Sequence, residues 1–289
     1  MTWVNAVIQG VLLGGIYALF ATGLSLAFGI MRLVNLAHGQ LALLGAFLTV
    51  SLVSTTGWNP LVALAVMVPA MAVIGFILQQ GLFNRTLTGD PLVAILVTFG
   101  LAVVIQNALL VHYSADVRGL DAGSIETASF QLTDEITIGW FRLVGLLVAI
   151  AVLAALSLFL ARNRTGRAFR AVSDDRATAR LMGINDRWIY GLAMAIAIAT
   201  VGVAGVFLGT QTSFAPADGD AQLLFAFEAV IIGGLGSLWG TLAGGIVLGV
   251  AQTVGAQIEP GWSVLTGHLV FLAVLVVRPT GLFGKLATS

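Results

Sequence analysis

The sequence predicts an all-α protein, a polytopic bundle of about eight membrane segments of which two are broken by glycine. Three observations predict it. Of 289 residues, 58% are hydrophobic and only 9% charged, whereas a water-soluble domain of this size needs far more surface charge. Apolar stretches long enough to cross a bilayer core, about 20 residues each, recur along the chain. Seven of the thirteen Lys and Arg residues crowd into one stretch, at Arg162, Arg164, Arg167, Arg170, Arg176, Arg180 and Arg187. Basic excess in a short loop marks the face that is not translocated, so this loop is placed in the cytoplasm and orients the rest.

The first apolar run, Ala6–Ile30, has no basic residue before it, since the first charge is Arg32. It is also longer than a signal-peptide core and reads as a retained helix. Leu41–Val53 follows and is too short to cross alone. Leu61–Leu82, Leu92–His112, Phe141–Ala161, Trp188–Gly209 and Ser263–Val277 each have crossing length or close to it. Gln222–Ile258 is too long for one crossing and is interrupted at Gly233-Gly234-Leu235-Gly236-Ser237. It is either two ordinary crossings, or Gly29–Gly39 and Gly233–Gly240 are paired breaks within the membrane. Paired Gly-interrupted segments point to a transport path, and this favours the breaks. The loop from Tyr113 to Trp140 carries Asp116, Asp121, Glu126, Asp134 and Glu135 against Arg118; Asp218, Asp220 and Glu259 fall on the same side. Arg32, Arg85, Arg278 and Lys285 fall on the other. The N-terminus is therefore expected outside and the C-terminus in the cytoplasm.

Glycines punctuate the apolar stretches. Gly236, Gly240 and Gly244 repeat at four-residue spacing, Gly245 and Gly249 run beside them, and Gly10–Gly14 and Gly205–Gly209 share the interval. Small residues at that interval let helices approach closely, and most of these serve packing within the subunit.

Inside the basic loop, Ser173 to Gly183 reads as a short helix with both ends specified. Ser173 is placed to cap it, with Asp174 and Asp175 near the positive end of the dipole and Arg180 near the negative end. Gly183 suits the left-handed stop. Ala177 with Leu181, and Thr178 with Met182, form a small apolar face at i,i+4 spacing. A helix of about nine residues is marginal alone in water and wants a partner surface. Docking is favoured over a loop that only sets topology.

Four segments resemble one family. Gly166-Arg167-Ala168-Phe169-Arg170-Ala171-Val172, followed by Asp175 and Leu181-Met182-Gly183-Ile184, is similar to the cytoplasmic loop of bacterial branched-chain amino acid ABC transporter permeases. Gly29-Ile30-Met31-Arg32-Leu33-Val34-Asn35-Leu36-Ala37-His38-Gly39 resembles the family's N-terminal motif. Ala229–Gly240 resembles its Gly-rich motif, and Arg278-Pro279-Thr280-Gly281-Leu282-Phe283-Gly284 its C-terminal signature. Length favours a LivH-like member over the longer LivM-like one. The resemblance implies a single permease domain over residues 1–289 in the bacterial inner membrane, with a coupling loop at 162–187. Its coupling residues would be Gly166, Arg167, Arg170, Asp175, Arg180, Leu181, Met182 and Gly183. It further implies a second, LivM-like permease subunit, two cytoplasmic ATPase subunits and a periplasmic binding protein. The chain has no G-x-x-x-x-G-K-[ST] phosphate loop, so it is expected to be non-catalytic, with ATP hydrolysed by another polypeptide. No cofactor or metal is expected, and zero net charge gives no reason to expect nucleic acid.

Polar residues near or within apolar segments are Asn35, His38, Gln40, Gln106, Asn107, Glu228, Gln252 and His268. Intramembrane ionisable groups usually face a cavity or a partner. Asn35, His38, Glu228, Gly233, Gly234 and Gly236 are the candidate transport path. Glu228 has two structural alternatives, solvation close to the outer interface or pairing with Gln252, and Asn35, Gln106 and Asn107 read more readily as interhelical hydrogen-bonders than as ligands. Two alternative functions stand beside the importer: an ion-coupled carrier using Glu228 or a histidine as proton relay, and the same architecture importing urea or amides. A membrane-embedded enzyme has little support, because H-E-x-x-H and G-x-S-x-G are absent from the sequence.

Overall fold

The computed structural model describes residues 3–87, 90–133 and 136–284; Asp134, Glu135 and Lys285 lie outside the described residues. In chain order the helices are α1 (Trp3–Met31), α2 (His38–Thr56), α3 (Pro60–Leu78), α4 (Asn84–Thr86), α5 (Pro91–Tyr113) and α6 (Ser124–Thr127). An antiparallel hairpin of β1 (Ser129–Thr133) and β2 (Ile136–Gly139) follows. The chain continues through α7 (Trp140–Arg162), α8 (Arg164–Asp174), α9 (Arg176–Leu181) and α10 (Asp186–Gln211). It ends in α11 (Gly219–Gly233), α12 (Leu238–Ile258) and α13 (Ser263–Val277). A π-helical turn, Gln79–Phe83, joins α3 to α4. Eight helical segments among the described residues are long and apolar enough to cross a membrane.

Two spans differ from expectation. α2 has 19 residues and reaches crossing length. The apolar pattern understates it because its last turn is Ser54-Thr55-Thr56, whose hydroxyls donate to carbonyls one turn back in the same helix. Polar side chains satisfied this way do not end a helix. The long stretch Gln222–Ile258 becomes two helices, α11 and α12, turned at Gly234 (φ 102°) and Gly236 (φ 80°). Those dihedrals suit glycine, which has no Cβ to clash. α11 has 15 residues and rises only about 22 Å at 1.5 Å per residue.

α1 and α10 form the buried centre of the bundle, while α13 lies at its periphery. Glycine sets the spacing around α1. A Cβ on Gly10 would stand 2.5 Å from Val250 Cα, and one on Gly14 2.5 Å from Ile246 Cα. α1 and α12 therefore run antiparallel in backbone contact, as the four-residue glycine spacing predicts. Gly233 and Gly244 likewise seat α11 on α12, and Gly205 seats α10 on α2.

The two ends of the bundle are distinct. At one, Gln9 Nε2 donates to Thr137 O in the hairpin (2.6 Å) and Arg142 Nη1 donates to Gln9 Oε1 (2.7 Å). At the other, the basic loop joins the end of α1, where Ser173 Oγ donates to Gly29 O (2.6 Å).

Candidate functional site: a clamped loop and two polar joints

The basic loop is two helices, not one. In α8, Gly166, Phe169 and Val172 face inward while Arg167 and Arg170 stay exposed. Gly166 lies against the last turns of α7, where a Cβ would stand 2.6 Å from Leu160 Cα. Phe169 packs edge-on against Phe159, and Arg170 Nη1 donates to Leu160 O (2.8 Å). This apolar periodicity carries α8 through Asp174.

The cap of the second helix is Asp175, which corrects the expectation of Ser173. The Ser173 hydroxyl is committed to Gly29 O, tying α8 to α1. Asp175 leaves helical geometry (φ −149°, ψ 103°). Its Oδ1 accepts from the Ala177 and Thr178 amides, and its Oδ2 accepts from the Thr178 hydroxyl (2.5 Å). The Thr178 hydroxyl, then the backbone amides, hold its carboxyl below the ordinary carboxylate range. At the other end Gly183 takes φ 81° and Ile184 N donates to Ala179 O (3.1 Å), the left-handed stop the sequence predicts.

Two arginines of α9 close on one carboxylate at the start of α10. Arg176 Nε reaches Asp186 Oδ2 at 2.6 Å, and Arg180 reaches the same group through Nε (2.9 Å) and Nη2 (2.7 Å). Arg176 also lies over the Tyr190 ring, 5.2 Å from its centroid, and donates to Leu87 O (3.3 Å). Hydrogen bonds and charge from Asp186 raise the Arg180 pKa further. The sequence reading missed Asp186, because offsets of ten and six residues match no helical spacing. With α9 held this way, Leu181 (87% exposed) and Met182 (78% exposed) stand free beside Ala177 and Thr178.

The polar residues of the spans form two separate joints. After α1 the chain turns back along it, through Arg32 at φ 51°. The His38 ring Nε2 hydrogen-bonds Phe20 O at 2.8 Å, so α2 starts beside the middle of α1. Asn35 Oδ1 accepts from Ala37 N (3.0 Å), and both Asn35 and His38 are buried. Gly39 packs directly on Gly219, the first residue of α11. Thus α2 and α11 both begin inside the bundle, at one place.

The second joint ties α11 to the outer helices. Glu228 is 1% exposed and pairs with His268 Nδ1 of α13. Tyr17 OH donates to Gln252 Oε1 (2.6 Å), and Phe225 packs between the pairs, 5.3 Å from Tyr17 and 6.3 Å from His268 by ring centroids. Glu228 therefore faces protein, as expected, but its partner is His268 and not Gln252, which Tyr17 occupies. Asn35 and Asn107 also depart from expectation. The first bonds within its own turn, and Asn107 Nδ2 donates to Val103 O of its own helix.

Gly233, Gly234 and Gly236 lie apart from Asn35 and His38. Leu282 N donates to Ile232 O (2.8 Å), Phe283 N to Gly233 O (3.1 Å), and Gly281 packs on Gly234. Gly236 meets Gly29 at the end of α1, where a Cβ on either glycine would stand 3.3 Å from the other's Cα. The two Gly-rich motifs touch, then, but through Gly29 and Gly236 at the basic-loop end. Gly39 packs instead on Gly219, and the turn after α11 is bound to the C-terminal segment. Among the described residues no cluster of three or more His, Asp or Glu could hold a metal ion.

The family model described as "Branched-chain amino acid transport system / permease component" matches residues 6–277. The chain belongs to this permease family. It is 29% identical to the high-affinity branched-chain amino acid transport system permease protein BraD of Pseudomonas aeruginosa, over 98% of this chain and 96% of that one. It is also 29% identical to the corresponding protein LivH of Escherichia coli, over 96% and 94%. Identity to the Escherichia coli permease LivM is 25%, over 92% of this chain and 67% of LivM. The permease-family chain thus aligns with LivH nearly end to end and with only part of LivM, in agreement with the expectation drawn from length.

Proposed function

We propose that this chain is the membrane-spanning permease subunit of an ATP-driven importer for branched-chain or related amino acids, in a bacterial inner membrane. In this reading residues 1–289 act as one permease domain, with the N-terminus outside and the loop at 162–187 in the cytoplasm. A second, LivM-like permease completes the pathway, two cytoplasmic ATPases drive it, and a periplasmic binding protein delivers the substrate. Family membership supports the permease role, and one geometric observation carries the coupling. α9 is clamped to α10 through Asp186 while it holds Leu181 and Met182 out to solvent. A rigid helix with an apolar tip suits insertion into a groove of another protein.

The reading assigns α9 with Asp175, Arg180, Leu181, Met182 and Gly183 to ATPase contact. Gly166, Arg167 and Arg170 seat α8 on α7 and present its basic face. The path is assigned to the place where α2 and α11 begin inside the bundle, beside Asn35 and His38, because interrupted helices expose backbone groups that a polar path satisfies and lipid does not. Gly233, Gly234 and Gly236 form its cytoplasmic turn. The Glu228–His268 pair, which an ion-coupled carrier would use as a relay, ties α11 to α13.

Reconstitution tests the reading. Proteoliposomes holding this chain, its partner permease, both ATPases and the binding protein are expected to accumulate leucine only with ATP. Equal accumulation by this chain alone, driven by an ion gradient, would contradict it.

A further inference from the structure

A cavity of about 160 Å³ opens where α8 crosses the end of α1. Leu26, Ile30 and Leu160 contribute apolar wall, and Arg170 and Asp174 line it from α8. Ser25, 1% exposed, also lines it, and its Oγ has no hydrogen-bond partner among the described residues.

The two charged residues have the right relation to each other for a small zwitterion. Arg170 and Asp174 are four residues apart on one helix, which places their Cβ atoms about 5–6 Å apart on one face. Both are exposed, and among the described residues no ion pair joins them. Arg170 uses one donor on Leu160 O, and a guanidinium carries about five. An opposite-charge pair that leaves its own partner unused beside an apolar cavity is suited to a ligand with both charges and a short apolar tail. Apolar space of about 150 Å³ is enough for a group the size of benzene, so an isobutyl group fits.

We propose that this cavity binds a free amino acid with an aliphatic side chain. Arg170 takes the carboxylate, Asp174 takes the ammonium, and the side chain lies among Leu26, Ile30 and Leu160. Neither Asn35 nor His38 lines the cavity, and of the residues assigned to the path it touches only Gly236, in the cytoplasmic turn. That it opens to the cytoplasm rests on the orientation proposed above. A ligand here bridges α8 to α1 and restrains the loop that carries α9, so imported product slows further import.

The assembled transporter in nanodiscs, without the binding protein, provides the test by equilibrium dialysis. L-leucine is expected to bind, and isocaproate (no ammonium) and L-leucinamide (no carboxylate) to bind at least about tenfold more weakly. Asp174→Asn, at an exposed position, and Leu26→Trp, which fills the cavity, are each expected to weaken leucine binding by about tenfold or more. In proteoliposomes, leucine loaded on the loop side should slow initial uptake by the wild type and not by Asp174→Asn. Undetectable leucine binding, or binding unchanged in Asp174→Asn, overturns the site. Uptake that proceeds without such inhibition overturns the regulatory role alone, whereas absent ATP-driven uptake counts against the transport reading.

Discussion

Arg176 and Asp186, ten residues apart in sequence, meet at 2.6 Å and fix the short helix α9 to the first turn of α10. Arg180 completes the clamp from the same side, at 2.7 Å. The tip of the loop is thereby attached to a helix that runs through the buried centre of the bundle, which is the connection a coupling element requires.

Removing the Asp186 carboxylate should loosen this attachment without touching the docking tip. Hydrogen bonds to charged groups contribute about 1.5–3 kcal/mol each. Solvent reaches both arginines, so about 2 kcal/mol in total is expected for Asp186→Ala. The readouts are a lower thermal unfolding midpoint of the purified assembly and ATPase activity that no longer follows substrate. Coupling as tight as in the wild type would show that the clamp is dispensable.

Gly14 is one of the packing glycines whose missing Cβ points at backbone, 2.5 Å from Ile246 Cα. Gly14→Leu cannot be absorbed by a side-chain rotation. Overpacking costs about 1–3 kcal/mol where neighbours can shift, and backbone against backbone leaves less room to shift. Sharply reduced membrane accumulation is expected, measured against Gly81→Leu, where a Cβ meets nothing within 4 Å. Equal accumulation of the two variants would argue against the close α1–α12 contact.

The Glu228–His268 pair is expected to act as a joint and not as a proton relay. His268→Ala leaves a buried carboxylate without its partner, which is strongly destabilising when a buried pair is broken on one side. Glu228→Gln with His268→Ala should recover much of the loss, a coupling visible in a double-mutant cycle of thermal stability. A stable but transport-dead Glu228→Gln with no such coupling would favour the relay.

Much of the loop was legible in the sequence because its signals are local. The Gly183 stop, the basic excess and the Leu181–Met182 pair depend on neighbouring residues. Ser173 was misread because either Ser173 or Asp175 satisfies capping chemistry, and only the contact of Ser173 with Gly29, 144 residues away, decides between them. Asp186 and His268 were not assigned as partners for the same reason, since packing brings their mates together from other helices. Glycine spacing predicted close helix approach, but not which helices meet. The start of α2 beside Phe20 was hidden because the segment from Arg32 to Ala37 turns back along α1 by a route that no periodicity encodes.

The central claim, that an ATPase drives this permease through the tip of α9, is tested most directly by Leu181→Asp. In proteoliposomes of the assembled transporter, ATP-driven leucine uptake and ATP hydrolysis are measured together, with membrane content matched to the wild type. Leu181 is solvent-exposed, so the substitution should leave the fold intact while placing a charge in the docking groove. The account predicts uptake reduced by about tenfold or more, with hydrolysis no longer stimulated by loaded binding protein. Wild-type uptake with normal stimulation would contradict it.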